Sequence, residues 1–212
     1  MKGAIFDVDG TILNSMGAWF DATDRFFKEM DIINMTPEEI NVFKEMTLEE
    51  SIPKIVNDNN LDMTVEEVFA WFLKYVGEQY EFTIPAKAGA CEYIKKLHDA
   101  GVKIAIATSG YKDMCEKSFK RLGIWQYIDA SAFSSEVGVN KSNPDVYLLA
   151  AERIGIAPED CTVFEDIVTG LQGAKKGGFK TVAVADESNE SQRDEMRELA
   201  DRFIEDFTEL LD

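Results

Sequence analysis

Ala4-Ile5-Phe6-Asp7-Val8-Asp9-Gly10-Thr11-Ile12-Leu13 is the stretch whose reading decides the fold. Ala4-Ile5-Phe6 is a short apolar run of the kind that forms a fully buried strand. Two carboxylates follow at i and i+2, and Gly10 then lets the chain turn sharply away. Asp7 and Asp9 are therefore expected at the carboxyl end of a strand, where open α/β sheets place their ligands. Two like charges so close repel each other unless a cation lies between them.

Outward from this stretch the pattern first turns helical. Trp19, Phe20, Phe26, Phe27 and Met30 recur at helical spacing and predict a helix over about residues 17 to 30. Thr36-Pro37-Glu38-Glu39, Thr47-Leu48-Glu49-Glu50 and Thr64-Val65-Glu66-Glu67 each read as a helix start with a capping Thr. No convincing strand is found between Asn14 and Tyr80, so residues 14–80 read as an inserted helical domain. The rest, 1–13 and 81–212, reads as the core. There helices at about 85–100, 112–122, 144–155 and 168–176 alternate with strands at 102–107, 128–133, 162–164 and 181–185, and a tail carries Phe203-Ile204. The loop around Glu136 to Asn143 precedes the helix at Pro144. Such alternation argues an α/β fold, a doubly wound parallel (Rossmann-like) sheet covered on both faces.

Composition limits the function. The 212 residues hold 40 acidic and 22 basic side chains, a net charge of −18, which disfavours nucleic acid and anionic membrane surfaces as partners. There is no apolar run of membrane-spanning length, and Met1-Lys2 leads straight into a strand rather than a signal peptide. Cys91, Cys115 and Cys161 are odd in number and widely spaced, which suits reduced thiols in a cytoplasmic protein. His98, after Lys95-Lys96-Leu97 at a helix end, reads as structural or surface.

The chemistry-bearing residues fall at strand ends: Asp7 and Asp9, Thr108 and Ser109, Lys141 in the loop before Pro144, and Glu165 with Asp166. Phosphoryl transfer through a carboxylate needs such parts: a nucleophile, a hard cation on oxygen ligands, donors for the phosphoryl oxygens, and a second acid/base.

Phe6-Asp7-Val8-Asp9-Gly10-Thr11-Ile12 closely resembles the first motif of the haloacid dehalogenase superfamily of phosphohydrolases. The resemblance implies Asp7 as nucleophile and Asp9 as general acid/base, Asp9 also lending its backbone carbonyl to a Mg2+ ion. Thr108-Ser109-Gly110 resembles the second, phosphate-binding motif. Lys141 in Lys141-Ser142-Asn143-Pro144-Asp145 resembles the third, whose lysine offsets charge on phosphate and nucleophile. Phe164-Glu165-Asp166 resembles the fourth, which makes Asp7, Asp9, Asp166 and Glu165 the expected metal set. The insertion after the first motif is similar to the superfamily's α-helical cap domain, and the motif details are similar to the β-phosphoglucomutase and sugar-phosphatase branch.

Two departures bear on substrate. Where the mutase has a histidine in the helix entering the cap, this chain has Trp19. Where the mutase cap carries a lysine and an arginine for a distal phosphate, this chain keeps Lys44 but has Leu48. The expectation is a Mg2+-dependent phosphatase of a small phosphate ester, monomeric or weakly dimeric, with Trp19 and Lys44 in substrate choice. The alternatives are a phosphosugar mutase and a receiver-like phospho-acceptor protein.

Overall fold

The computed structural model describes residues 1–32, 36, 46 and 48–212. The chain divides into two compact units, Met1–Ser15 with Ile84–Asp212, and Met16–Thr83. The first is an α/β unit and the second is helical.

In the α/β unit, β1 (Gly3–Phe6), β2 (Lys103–Thr108), β3 (Ala130–Phe133), β4 (Cys161–Glu165), β5 (Lys180–Val184) and β6 (Arg202–Ile204) form one sheet in the order β3-β2-β1-β4-β5-β6. Every pairing is parallel. The chain runs outward from β1 to β3 and then restarts on the other side of β1 at β4, which makes β1 and β4 the switch point of a doubly wound sheet. Register sets the site: Phe6 pairs with both Ile106 and Phe164, so β1, β2 and β4 end side by side.

The strands are apolar on both faces because both are covered. Ile5, Ala105 and Val163 face a core shared with Val146, Tyr147, Ala150 and Phe179. On the opposite face Phe6 stacks on Phe164 with ring centroids 4.4 Å apart, and Phe207 packs beside them. Fully burying one such aromatic contributes about 1.5–3 kcal/mol, so this pair is a large part of what fixes the register of β1 on β4.

The helical unit contains α1 (Met16–Glu29), α2 (Leu48–Asp58) and α3 (Val65–Phe82). The capping box expected at Thr64 is formed: the Glu67 amide donates to Thr64 Oγ1 at 3.2 Å, and the Thr64 amide to Glu67 Oε2 at 2.8 Å. Phe26 of α1 packs 5.1 Å from the rings of Trp71 and Phe72 of α3. The helix starts read at Thr36-Pro37 and Thr47, and Lys44, lie outside the described residues or abut them.

Of the remaining helices, α4 (Ala90–Asp99), α5 (Lys112–Arg121), α6 (Ser134–Val137), α7 (Asp145–Ile154), α8 (Val168–Lys176) and α9 (Arg193–Leu199) connect the strands. Two differ from expectation. The helix read from Pro85 begins at Ala90, because the preceding backbone pairs with the segment leaving β1: Asn14 N donates to Pro85 O, Lys87 N to Ile12 O, and Leu13 bridges Ala86. The loop read at Glu136 opens instead on α6, whose Glu136 carboxylate accepts from the Phe133 amide at 2.9 Å. Among the described residues, no helix is long and apolar enough to cross a membrane.

Candidate active site

Asp7 follows β1 directly, and its amide still donates to Phe164 O at 2.9 Å, so the parallel ladder delivers Asp7 beside Glu165. The turn that carries Asp9 is closed by backbone bonds from Gly10 N to Leu13 O and from Ile12 and Leu13 N to Val8 O. Glu165 ends β4 and Asp166 follows it. Lys141 reaches the same place from the loop before α7.

The buried Lys141 ammonium donates to Asp7 Oδ1 and to Glu165 Oε1, the latter at 2.5 Å. Tyr147 Oη, from the buried face of α7, donates to the same Glu165 oxygen at 2.7 Å. Glu165 Oε2 accepts from the Asp166 amide at 3.0 Å. Asp166 takes Thr11 Oγ1 on one oxygen at 3.1 Å and Asn189 Nδ2 on the other at 2.8 Å. Among the described residues no fully buried side-chain polar atom lacks a hydrogen-bond partner, as burial requires.

The charges do not balance. Asp7, Glu165 and Asp166 are all buried and face one buried ammonium. Burial, with the charges of Glu165 and Asp9, pushes the Asp7 carboxyl up to about 7 against the pull of Lys141. Burial, with Asp7 and Glu165, likewise holds Asp166 well above the usual carboxylate range. Burial draws Lys141 down, but the Asp7 and Glu165 carboxylates outweigh it and hold the ammonium above its ordinary value. Oxygen atoms of Asp7, Glu165 and Asp166 lie within 4.8 Å of one another. A buried, under-neutralised set of hard oxygen donors fits a hard divalent cation. Glu165 takes three protein donors, the Lys141 ammonium among them, against two neutral donors on Asp166, so Asp7 and Asp166 are the better placed to take one.

Asp9 is half-buried and accepts from Ser15 Oγ at 2.7 Å. Its other oxygen lies against the second motif, where a Cβ added at Gly110 would come 2.8 Å from Asp9 Oδ2. Thr108 is buried, and its Oγ1 accepts from the Gly110 amide at 2.9 Å; Ser109 turns its hydroxyl to Ser134 at 2.9 Å. Asp7, Asp9, Thr108, Gly110, Lys141, Glu165 and Asp166 thus converge on the ends of β1, β2 and β4. Trp19 lies in the helical unit, where its indole N–H donates to Tyr80 Oη at 3.0 Å. His98 packs on the Tyr127 ring, at a centroid distance of 4.9 Å.

The protein similarity of this arrangement is broad. The model of the family described as "Haloacid dehalogenase-like hydrolase" matches residues 4–184. The chain belongs to that family. It is 28% identical to the hexitol phosphatase B of Escherichia coli (strain K12), over 98% of this chain and 93% of that protein. It is 25% identical to the phosphorylated carbohydrates phosphatase of Thermotoga maritima, over 86% and 84%. The crystal structure of CbbY from Rhodobacter sphaeroides in complex with phosphate superposes with a TM-score of 0.83 at 22% identity, covering 99% of this chain and 96% of that one, and so shares its fold. As a haloacid dehalogenase-like hydrolase the chain is an enzyme, and its core and helical insertion are those of the family's α/β fold.

The motif reading missed Thr11, Ser15, Tyr147 and Asn189, each of which holds a site carboxylate. Outside the motifs, the glycines of α8 carry a signal for close approach to the site. A Cβ at Gly170 would come 2.4 Å from Glu165 Cδ, and one at Gly173 would come 2.0 Å from Lys141 O, so this helix face is bare where the site presses on it.

Proposed function

We propose that the chain is a Mg2+-dependent phosphatase of small phosphorylated metabolites, sugar or sugar-alcohol phosphates foremost, acting through an aspartyl-phosphate on Asp7. The observation that carries the reading is the buried Lys141 ammonium bridging Asp7 and Glu165, with Asp166 beside them, at the ends of β1 and β4. The substrate class is supported by the activities named for the relatives above.

An Asp7 oxygen attacks phosphorus, and the bond from phosphorus to the ester oxygen breaks. Protonated Asp9 gives its proton to that oxygen, and the alcohol leaves. Asp9, now a carboxylate, takes a proton from water as the water oxygen attacks phosphorus. The bond to Asp7 breaks, inorganic phosphate is released and the Asp7 carboxylate returns. Ser15, bonded to Asp9 Oδ1, holds that carboxyl in place. Thr108, Ser109 and Gly110 form the loop for the phosphoryl oxygens, and Lys141 offsets the charge of nucleophile and phosphate. Asp7, the Asp9 carbonyl and Asp166, with Glu165 at the margin, would hold Mg2+, whose charge would let an anionic phosphate approach an anionic nucleophile.

The helical unit serves as the cap that chooses among esters, with Trp19 and Lys44 as its candidates; Lys44 lies outside the described residues. A phosphosugar mutase is disfavoured by the same unit, where Trp19 commits its N–H to Tyr80 and Leu48 opens α2 with an apolar side chain. Trp19→His with Leu48→Arg is expected to shift preference toward bisphosphorylated sugars while small generic esters change little.

The test is phosphate release from a panel of hexose, pentose and hexitol phosphates, nucleotides and phosphoglycolate, with Mg2+ and with EDTA. Release of phosphate from sugar or sugar-alcohol phosphates, abolished by EDTA, is expected. No release from any ester with Mg2+ present would end the phosphatase reading.

A further inference from the structure

Asn189 lies outside all four motifs, in the segment between β5 and α9, and none of the chemistry above uses it. Its Nδ2 nevertheless donates to Asp166 Oδ2 at 2.8 Å, opposite Thr11 on Oδ1. The segment that presents it is anchored on both sides. The Asn189 amide donates to Asp186 O at 3.1 Å. The Asp186 carboxylate, almost fully buried, pairs with Lys87 Nζ at 2.6 Å and accepts from Ser188 N and Oγ at 3.0 and 2.6 Å. On the other side, Gln192 Oε1 accepts from the Val168 amide at the start of α8, and its Nε2 lies 3.4 Å from Asn189 Oδ1. The Asn189 side-chain amide thus lies with its oxygen toward Gln192 and its NH2 toward Asp166.

We propose that Asn189 is a positioning residue for the Asp166 carboxylate as a metal ligand. Two donors from opposite sides, Thr11 and Asn189, stop the carboxylate from rotating about its last bond. An amide does this without cancelling charge, which a lysine or arginine at 189 would do. A carboxylate oxygen offers more than one lone-pair direction, so Oδ2 can accept the amide and still face a cation. Outer donors of this kind typically change metal affinity or activity 10–100-fold when removed. The inference rests on Asp166 being a metal ligand, as proposed above.

The test is calorimetric titration of Mg2+ into the metal-free full-length protein, with melting temperature and the Mg2+ dependence of turnover measured alongside. Wild type, Asn189→Ala, Asn189→Lys and Gln192→Ala are compared. Asn189→Ala is expected to raise the Kd for Mg2+ by about tenfold or more while kcat at saturating Mg2+ returns to near wild type. Asn189→Lys, whose ammonium can pair with Asp166 and so favours folding, is expected to lose Mg2+ binding altogether. Gln192→Ala removes the cap of α8 and is expected to lower the melting temperature with Kd changed less than about twofold, a split that a merely structural role of the segment does not produce. Wild-type Kd in Asn189→Ala or in Asn189→Lys overturns the inference, as does a Kd that follows melting temperature across all variants. Absence of Mg2+ binding in the wild type would instead remove the metal reading of Asp166 itself.

Discussion

Asp7→Asn should make the metal-free protein more stable in neutral and alkaline solution, and the gain should grow with pH. In the folded chain the Asp7 carboxyl titrates at about 7, against an ordinary 3.8, because it is buried among other carboxylates. A folded value above the unfolded one gives a contribution that is fully present below the unfolded value and is lost as pH rises through the folded one. The difference is worth about 4 kcal/mol once Asp7 is fully ionised, of which about 3 kcal/mol falls between pH 5 and pH 8. Asparagine does not titrate, so the variant lacks that loss. The other perturbed groups leave this window clear or reinforce the effect. Asp129, Asp160, Asp186 and Asp201 have lowered values and titrate below it, and Lys141 titrates above it. Asp166, raised in part by the Asp7 charge, becomes easier to ionise in the variant. The assay is urea unfolding of both proteins in EDTA at pH 5, 6, 7 and 8, with equal m-values confirming a common transition. The variant's advantage is expected to rise by about 3 kcal/mol from pH 5 to pH 8, and to shrink when Mg2+ is added because only the wild type keeps the full ligand set. Stability curves that stay parallel across this range would refute the claim that Asp7 sits ionised at a cost.

Tyr147→Phe keeps the buried ring and removes one donor to a charged acceptor, so denaturant unfolding should show a loss of about 1.5–3 kcal/mol, and turnover should fall as Glu165 and Lys141 lose their support. Gly173→Ala places a methyl 2.0 Å from Lys141 O, a backbone atom, and should cost about 1–3 kcal/mol or more by thermal melting, with turnover lost through displacement of Lys141. Asp166→Ala should raise the Mg2+ concentration for half-maximal turnover by well over tenfold, since Mg2+ takes few protein oxygens; an unchanged requirement would exclude it as a ligand.

The parts of this structure that were legible in the sequence are those that local pattern determines. Ala4-Ile5-Phe6 before Asp7 had to be a buried strand, and the alternation that follows Phe82 had to be a parallel sheet, so the strand ends at Asp7, Thr108 and Glu165 could be expected to meet. What remained hidden depends on register between distant segments. Tyr147 and Asn189 are 18 and 23 residues from the carboxylates they bond, and Thr11 is 155 residues from Asp166. No periodicity marks such partners. The helix expected from Pro85 shows the converse: its first residues have the composition for a helix, yet their backbone groups are taken by Ile12 to Asn14, so the tertiary pairing overrides local preference. The close packing of α8 on the site was written in Gly170 and Gly173, but its meaning emerges only once Glu165 and the Lys141 loop are seen to occupy the space of the missing side chains.

A phosphoryl group passing through Asp7 is seen at its covalent bond to that residue. Wild-type protein with Mg2+ is mixed with acetyl phosphate or a sugar phosphate, quenched in acid within a single turnover, digested and read by mass spectrometry. A peptide containing Asp7 heavier by one phosphoryl group is expected, discharged by hydroxylamine and absent from Asp7→Asn. Turnover that continues in Asp7→Asn, or a phosphoryl group found on another residue while Asp7 stays unmodified, would contradict it.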